Sequence, residues 1–177
     1  MYHYRIYGMY LAADLEFPQL LEDEAWEERK GGGALDIIFR EGCVAAQIPP
    51  HDSAGQCGFG AQISWLENKT CYLLVEDGCR ITYQRKDGAR EMYLRSYLLG
   101  WGMSMLSHQR GEPAIHCSAV CSEDGVVLLC GESGSGKSTM TAALLEQGYR
   151  LMADDMALVE YRSAFMPVLA ICFSGIF

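Results

Sequence analysis

The chain has 177 residues, half of them hydrophobic and 21% charged, enough for one packed domain or one with a small appendage, and not the composition of a disordered chain. Its net charge is −9, with acids over bases by 15 to 10 in residues 1–100 and by 8 to 4 in residues 101–177, which excludes a sequence-independent grip on nucleic acid. No apolar stretch reaches the roughly 20 residues that span a bilayer, and the first ten residues lack the charged start and apolar run of a secretory signal.

In chain order, Tyr2–Met9 reads as a strand, followed by a loop with Pro18 and an acidic stretch from Glu22 to Glu28. Gly31-Gly32-Gly33 is a break, and Ala34–Arg40 reads as a strand. A polar segment from Glu41 to Gly60 leads to strands at Gln62–Glu67, Thr70–Val75 and Cys79–Gln84. Asp77-Gly78 and Asp87-Gly88 are turn signals between or after them. Residues 1–92 therefore read as a small, β-rich module, and residues 93–177 as a second domain.

From Met92 to Gln109 the period changes. Leu94, Tyr97, Leu98, Trp101, Met105 and Leu106 recur at spacings of three and four, which predicts a helix whose aromatic and Met residues are core. Arg110-Gly111-Glu112-Pro113 stops it. Ala114–Cys121 reads as a strand, Ser122–Gly125 as a tight turn, and Val126–Cys130 as an apolar strand covered on both faces.

That strand runs into Gly131-Glu132-Ser133-Gly134-Ser135-Gly136-Lys137-Ser138-Thr139, a match to G-x-x-x-x-G-K-[ST]. Glycines let the backbone curl so that its amides point at phosphate oxygens, and the helix that follows, about Lys137 to Gln147, adds its positive end. Lys137 is expected to reach the β- and γ-phosphates, and the Ser138 hydroxyl to ligate Mg²⁺. Gly148 ends the helix, and Leu151-Met152-Ala153 then forms a short strand ending in Asp154 and Asp155. Two acids at a strand's C-terminal end beside a phosphate loop are suited to holding Mg²⁺ or taking a hydroxyl proton. Only 16 residues separate Lys137 from Asp154, a closer spacing than a second acidic motif on a later strand would have. His116, on the strand preceding the hairpin, joins this edge if the pairing register suits.

The eight cysteines, at 43, 57, 71, 79, 117, 121, 130 and 172, include no CxxC pair and read as reduced thiols of a cytoplasmic protein. On that reading the sequon Asn68-Lys69-Thr70 carries no glycan.

His116-Cys117-Ser118-Ala119-Val120, the turn, the apolar strand, the glycine-rich loop and Gly148-Tyr149-Arg150-Leu151-Met152-Ala153-Asp154-Asp155 together resemble the catalytic domain of HPr kinase/phosphorylase. The likeness is greatest to the HPr-kinase-like proteins of bacterial peptide-modification clusters. It is firm over about residues 110–160, and the N-terminal module and the helix before His116 are similar to that subfamily as well. The resemblance implies an α/β P-loop kinase fold related to phosphoenolpyruvate carboxykinase, with a small β-rich N-terminal module. It implies a kinase that uses ATP and Mg²⁺ to phosphorylate a hydroxyl, on a protein or peptide serine or on a small molecule. Residues 131–139 then hold nucleotide, with Lys137 also serving catalysis. Asp154 and Asp155 supply a base and an orienting or metal-linked partner, the order between them open, and His116 stands beside them. Ser138 and Asp154 are the expected metal ligands, and homo-oligomers are common in the family.

Two departures stand out. Thr139 occupies a position where the bifunctional enzymes typically carry Glu, which counts against phosphorylase activity. The family's domain also continues well past its paired acids, whereas here about 22 residues follow, including the apolar run Phe165–Phe177. That run is expected either as a final strand pair or as the end of a catalytic domain incomplete at its C-terminus. Two other readings are a non-catalytic ATP-binding accessory module and a P-loop nucleotide hydrolase.

Overall fold

A computed structural model describes residues 1–26, 35–51, 55–112, 114–132, 134–154, 156–159 and 168–173. The protein is of mixed α/β class, rich in sheet and poor in helix. It forms two compact units, Met1–Gly111 and Glu112–Phe177. The division falls at Gly111 rather than near residue 92, because the helical stretch packs on the sheet of the first unit. The triple-glycine break, Pro113, Ser133 and Asp155 lie outside the described residues.

The first unit is built on eight strands: β1 (Tyr2–Ile6), β2 (Met9–Ala13), β3 (Leu21–Glu22), β4 (Ile37–Glu41), β5 (Gln56–Gly58), β6 (Ile63–Glu67), β7 (Cys71–Glu76) and β8 (Arg80–Arg85). They are ordered β3-β1-β2-β4-β8-β7-β6-β5, with β4 parallel to both of its neighbours and the other pairs antiparallel. The single strand expected over Tyr2–Met9 is instead part of a hairpin. Tyr7 and Gly8 turn it with φ of 50° and 77°. A tyrosine in the left-handed region is uncommon, so only Gly8 marks the turn in the sequence. Asp77 and Gly78, at φ of 52° and 61°, make the same kind of turn between β7 and β8, as their side chains predict. The edge strand β5 lies in the segment expected to be irregular.

Side-chain alternation builds the core. Ile81 and Tyr83 of β8, Leu73 and Val75 of β7, Ile37 and Phe39 of β4, and Leu11 of β2 are buried. Phe17 meets Tyr4 and Phe39 edge-on, at 6.0 and 5.8 Å between ring centres. The polar tips are satisfied: the Phe17 amide donates to Tyr4 Oη at 2.8 Å, and Tyr83 Oη donates to Asp14 Oδ1 at 2.6 Å. Burial, and then Asp14, push the Tyr83 phenol above its usual range.

The expected helix over 92–109 forms in three pieces: α1 (Glu91–Tyr97), a π turn (Leu98–Gly102) and α2 (Met103–Gln109). Leu94, Leu98, Met103, Met105 and Leu106 are buried as the period predicts. Trp101, Tyr93 and Met92 are exposed, contrary to the core reading. A π turn adds a residue to the repeat and rotates Trp101 away from the inward face. Gly102 takes the inward position; a Cβ there would stand 2.9 Å from Ile81 Cδ1. The end of α2 is tied down by Gln109, which accepts from the Gly78 amide at 2.7 Å and donates to Val75 O at 3.0 Å.

The second unit contains β9 (Ala114–Ile115), β10 (Cys117–Ser122), β11 (Gly125–Gly131), α3 (Lys137–Glu146), β12 (Arg150–Ala153), β13 (Ala157–Leu158) and β14 (Val168–Phe173). Four strands form a sheet in the order β12-β10-β11-β14, and β9 pairs with β13. β10 runs antiparallel to β11 and β12, whereas β14 runs parallel to β11. The strand expected over Ala114–Cys121 is interrupted at His116. β11 is covered less than its composition predicts: Leu128 and Leu129 are buried, and its other residues are half-exposed. Of the apolar run near the C-terminus, residues 168–173 form β14, and the remainder lies outside the described residues. Among the described residues no helix is long and apolar enough to cross a membrane.

One ion-pair network sits beside the turn that follows β6. Lys86 Nζ donates to Glu67 Oε1 at 2.6 Å, His51 Nε2 lies 2.9 Å from Glu67 Oε2, and Lys86 stands 4.0 Å over the Tyr72 ring. The Lys86 hydrogen bond holds the Glu67 carboxyl below its ordinary 4.5. A depressed carboxyl adds stability above its unfolded value and loses it as pH falls through the folded one. Glu67→Gln is therefore expected to cost about 0.5–1 kcal/mol near pH 7. The difference from wild type should shrink as pH falls through the range of the depressed carboxyl, as read by urea denaturation across pH.

Candidate functional site

The site is assembled by pairing register. Because β10 lies antiparallel between β11 and β12, its N-terminal end shares an edge of the sheet with their C-terminal ends. Cys117 pairs with Cys130, so His116 stands at the level of Gly131, where the glycine-rich loop begins. Ala119 pairs with Ala153, so Ser118 stands at the level of Asp154. Ser118 Oγ donates to Asp154 Oδ1 at 3.0 Å. Three separate stretches of chain thus meet at one place.

The loop itself depends on glycine. Gly131, Gly134 and Gly136 have φ of 153°, 83° and 94°, which side chains disfavour. Gly136 is the N-cap of α3 and supplies no side-chain hydrogen bond. The first bond of this turn runs from the Met140 amide to Gly136 O at 2.9 Å, so the amides of Lys137, Ser138 and Thr139 have no acceptor within the helix. Lys137 Nζ donates to Gly131 O at 2.6 Å and Glu132 O at 3.0 Å. Thr141 Oγ1 donates to Lys137 O at 2.9 Å and fixes the first turn.

A cleft of about 600 Å³ is lined by His116, Ser118, Gly134, Gly136, Lys137, Ser138, Thr139 and Asp154. Of the residues singled out from the sequence, Gly131, Glu132 and Ser135 are outside this lining. Gly131 closes β11, the Glu132 side chain is exposed, and the Ser135 hydroxyl is buried with no hydrogen-bond partner among the described residues. Ser133 and Asp155 are outside the described residues. Ser118 is the residue that sequence reasoning missed. Its signal is a polar residue within an apolar strand, two positions after His116 and so on the same face.

The lining suits a polyphosphate with a divalent cation. Uncapped amides at a helix N-terminus attract anionic oxygen, and nothing lies within 4 Å of a Cβ built on Gly134 or Gly136. Ser138 and Asp154 offer one hydroxyl and one carboxylate, the sparse oxygen set that Mg²⁺ accepts when phosphate and water complete its shell. Among the described residues no three or more His, Cys, Asp or Glu side chains gather as a metal cage. On the other face of the sheet, burial and the nearby Cys130 push the Cys117 thiol up to about 11.

No protein-family model matches the chain, and a search of curated proteins finds no match to its sequence.

The loop conformation predicts a specific cost. Gly136→Ala forces an L side chain to φ 94° and is expected to destabilise the second unit by roughly 1–2 kcal/mol. The urea midpoint of that unit's transition should fall, while the transition of the first unit stays unchanged.

Proposed function

We propose that this protein is an ATP-dependent phosphotransferase of the HPr-kinase-like type, moving the γ-phosphoryl group of ATP to a hydroxyl. The reading is carried by one observation: His116, Ser118, Lys137, Ser138, Thr139 and Asp154, from three stretches of chain, line one cleft. The motif resemblance adds the reaction class, and also the choice of ATP over GTP, since a glycine-rich loop reads phosphates and not the base. The acceptor is a serine of a protein or peptide, or a small alcohol.

In this mechanism the loop amides and the N-terminus of α3 bind phosphate oxygens, and Lys137 neutralises the β- and γ-phosphates. Asp154, or Asp155 beside it in sequence, takes the proton of the attacking hydroxyl. Ser118 restrains Asp154 through its 3.0 Å hydrogen bond, so the carboxylate meets the acceptor in one orientation. His116, at the rim, is suited to hydrogen-bonding the transferring group. Ser138 and Asp154 would hold Mg²⁺, which when bound offsets negative charge on the phosphates.

The test is a thermal shift with Mg-ATP on wild type, Lys137→Ala and Asp154→Asn. At about 100 times its dissociation constant a ligand stabilises by roughly 2.7 kcal/mol. For a chain of this size that is roughly 5–10 °C. Wild type is expected to show that shift, Lys137→Ala to lose it, and Asp154→Asn to retain most of it while losing transfer of labelled γ-phosphate. A wild type that melts cooperatively without a shift overturns the reading. Phosphate release without any acceptor identifies a hydrolase, and binding without turnover an accessory module.

A further inference from the structure

We propose that the proton on the His51 ring is a switch in the first unit: with it, residues 49–51 are held against the sheet, and without it they are released. His51 follows the short 3₁₀ turn Ala45–Gln47, which leads away from β4. Its Nδ1 lies 2.8 Å from Pro49 O, and its Nε2 lies 2.9 Å from Glu67 Oε2. The ring stacks on Trp65, with ring centres 5.0 Å apart and planes inclined by 28°. Only 11% of the His51 side chain is exposed.

Both partners of the ring are acceptors. A backbone carbonyl and an ionised carboxylate offer lone pairs and no hydrogen, and a neutral imidazole has a single N–H. The imidazolium has two N–H groups and serves both oxygens. Each neutral tautomer costs a contact. One gives up Glu67, and the other sets the lone pair of Nδ1 against Pro49 O, which turns the backbone of the segment. Because the ring is nearly closed to water, solvent does not replace the missing bond in place.

The groups on the neighbouring elements are Glu67 on β6, Tyr72 on β7 and Lys86 just after β8. Lys86 Nζ donates to the second oxygen of Glu67 at 2.6 Å and stands 4.0 Å over the Tyr72 ring. The Lys86 hydrogen bond holds the Glu67 carboxyl below 4.5. Burial works against the Lys86 ammonium, but Glu67 and Tyr72 together outweigh it and hold it above 10.5. Both charges therefore persist near neutral pH, where histidine is the residue type that titrates. Movement falls on the His51 side of the contact. Glu67 is fixed on both flanks, paired with Gln56 on β5 and with Tyr72 on β7. The root of the segment is fixed too, because the Val44 and Ala45 amides donate to Gln84 Oε1 at 2.8 and 2.9 Å. Between root and ring lie Pro49 and Pro50, which have no amide hydrogen with which to hold the sheet. The contact is thus present at low pH and lost as pH rises, uncovering the Trp65 ring.

The test is nuclear magnetic resonance on the full, isotope-labelled chain, titrated from about pH 5.5 to about pH 8.5. At the acid end the His51 ring should show imidazolium shifts and nuclear Overhauser contacts to the Trp65 ring. Those contacts should be lost through the titration of the ring, while the Val44 and Ala45 amides stay protected from hydrogen exchange. Glu67→Gln separates the proton from the mere contact. Its amide oxygen still accepts from Lys86, and its amide nitrogen donates to an unprotonated Nε2, so the contacts to Trp65 should persist at both ends of the titration. Ring contacts that survive deprotonation in wild type overturn the proposal. So does a ring whose protonation stays constant over the range, and so does loss of the contacts in Glu67→Gln at the same pH as in wild type. Loss of protection at Val44 and Ala45 in the same step overturns a release confined to residues 49–51. The switch lies wholly in the first unit and stands or falls independently of the nucleotide chemistry proposed for the second.

Discussion

The candidate site depends on the antiparallel placement of β10 between β11 and β12. Each strand alone carries an ordinary sequence. Pairing of Cys117 with Cys130 and of Ala119 with Ala153 brings a histidine, a serine, a glycine-rich loop and an aspartate to one edge. The side-chain period of a strand is two, so a slip of one residue would send His116 and Ser118 to the opposite face. The ladder hydrogen bonds and the small apolar cluster beneath them thus specify the chemistry as well as the stability. A bulge between Ala119 and Val120 shows where the register is adjusted, one residue beyond Ser118.

Each unit has its own buried residues. The first buries large side chains, including Tyr4, Phe17, Phe39 and Tyr83, and satisfies the tyrosine hydroxyls internally. Among the described residues of the second, Cys117, Ala119, Leu128 and Ala157 form one buried cluster, and Val120 and Leu129 are buried as well. Meanwhile Met140, Leu145, Leu151 and Met152 are exposed on α3 and β12.

Much of this was legible in the sequence because the signals were local. The Asp77-Gly78 turn, the helix after Lys137 and its end at Gly148, with φ of 92°, each follow from a residue type with one dominant conformational preference. The elements that escaped depend on context. Tyr7 takes a positive φ that its side chain disfavours, within the hairpin formed by the pairing of β1 with β2. Trp101 matches the helical period, yet it falls within the π turn and is exposed, while Gly102 beside it takes the inward position against Ile81, 21 residues away in the chain. In the site, the loop was legible from spacing alone, and His116 only as conditional on register. The role of Ser118 was invisible, because its partner Asp154 lies 36 residues away and the link is made by the sheet.

The ammonium group of Lys137 already donates to two backbone carbonyls, at 2.6 and 3.0 Å. Of its three N–H donors two are committed, and the third is left to offer a ligand. An anionic oxygen placed there forms a hydrogen bond roughly twice as strong as one between neutral groups. The cleft is therefore biased against uncharged molecules of similar shape. Discrimination by formal charge is thus built into the position of one ammonium group.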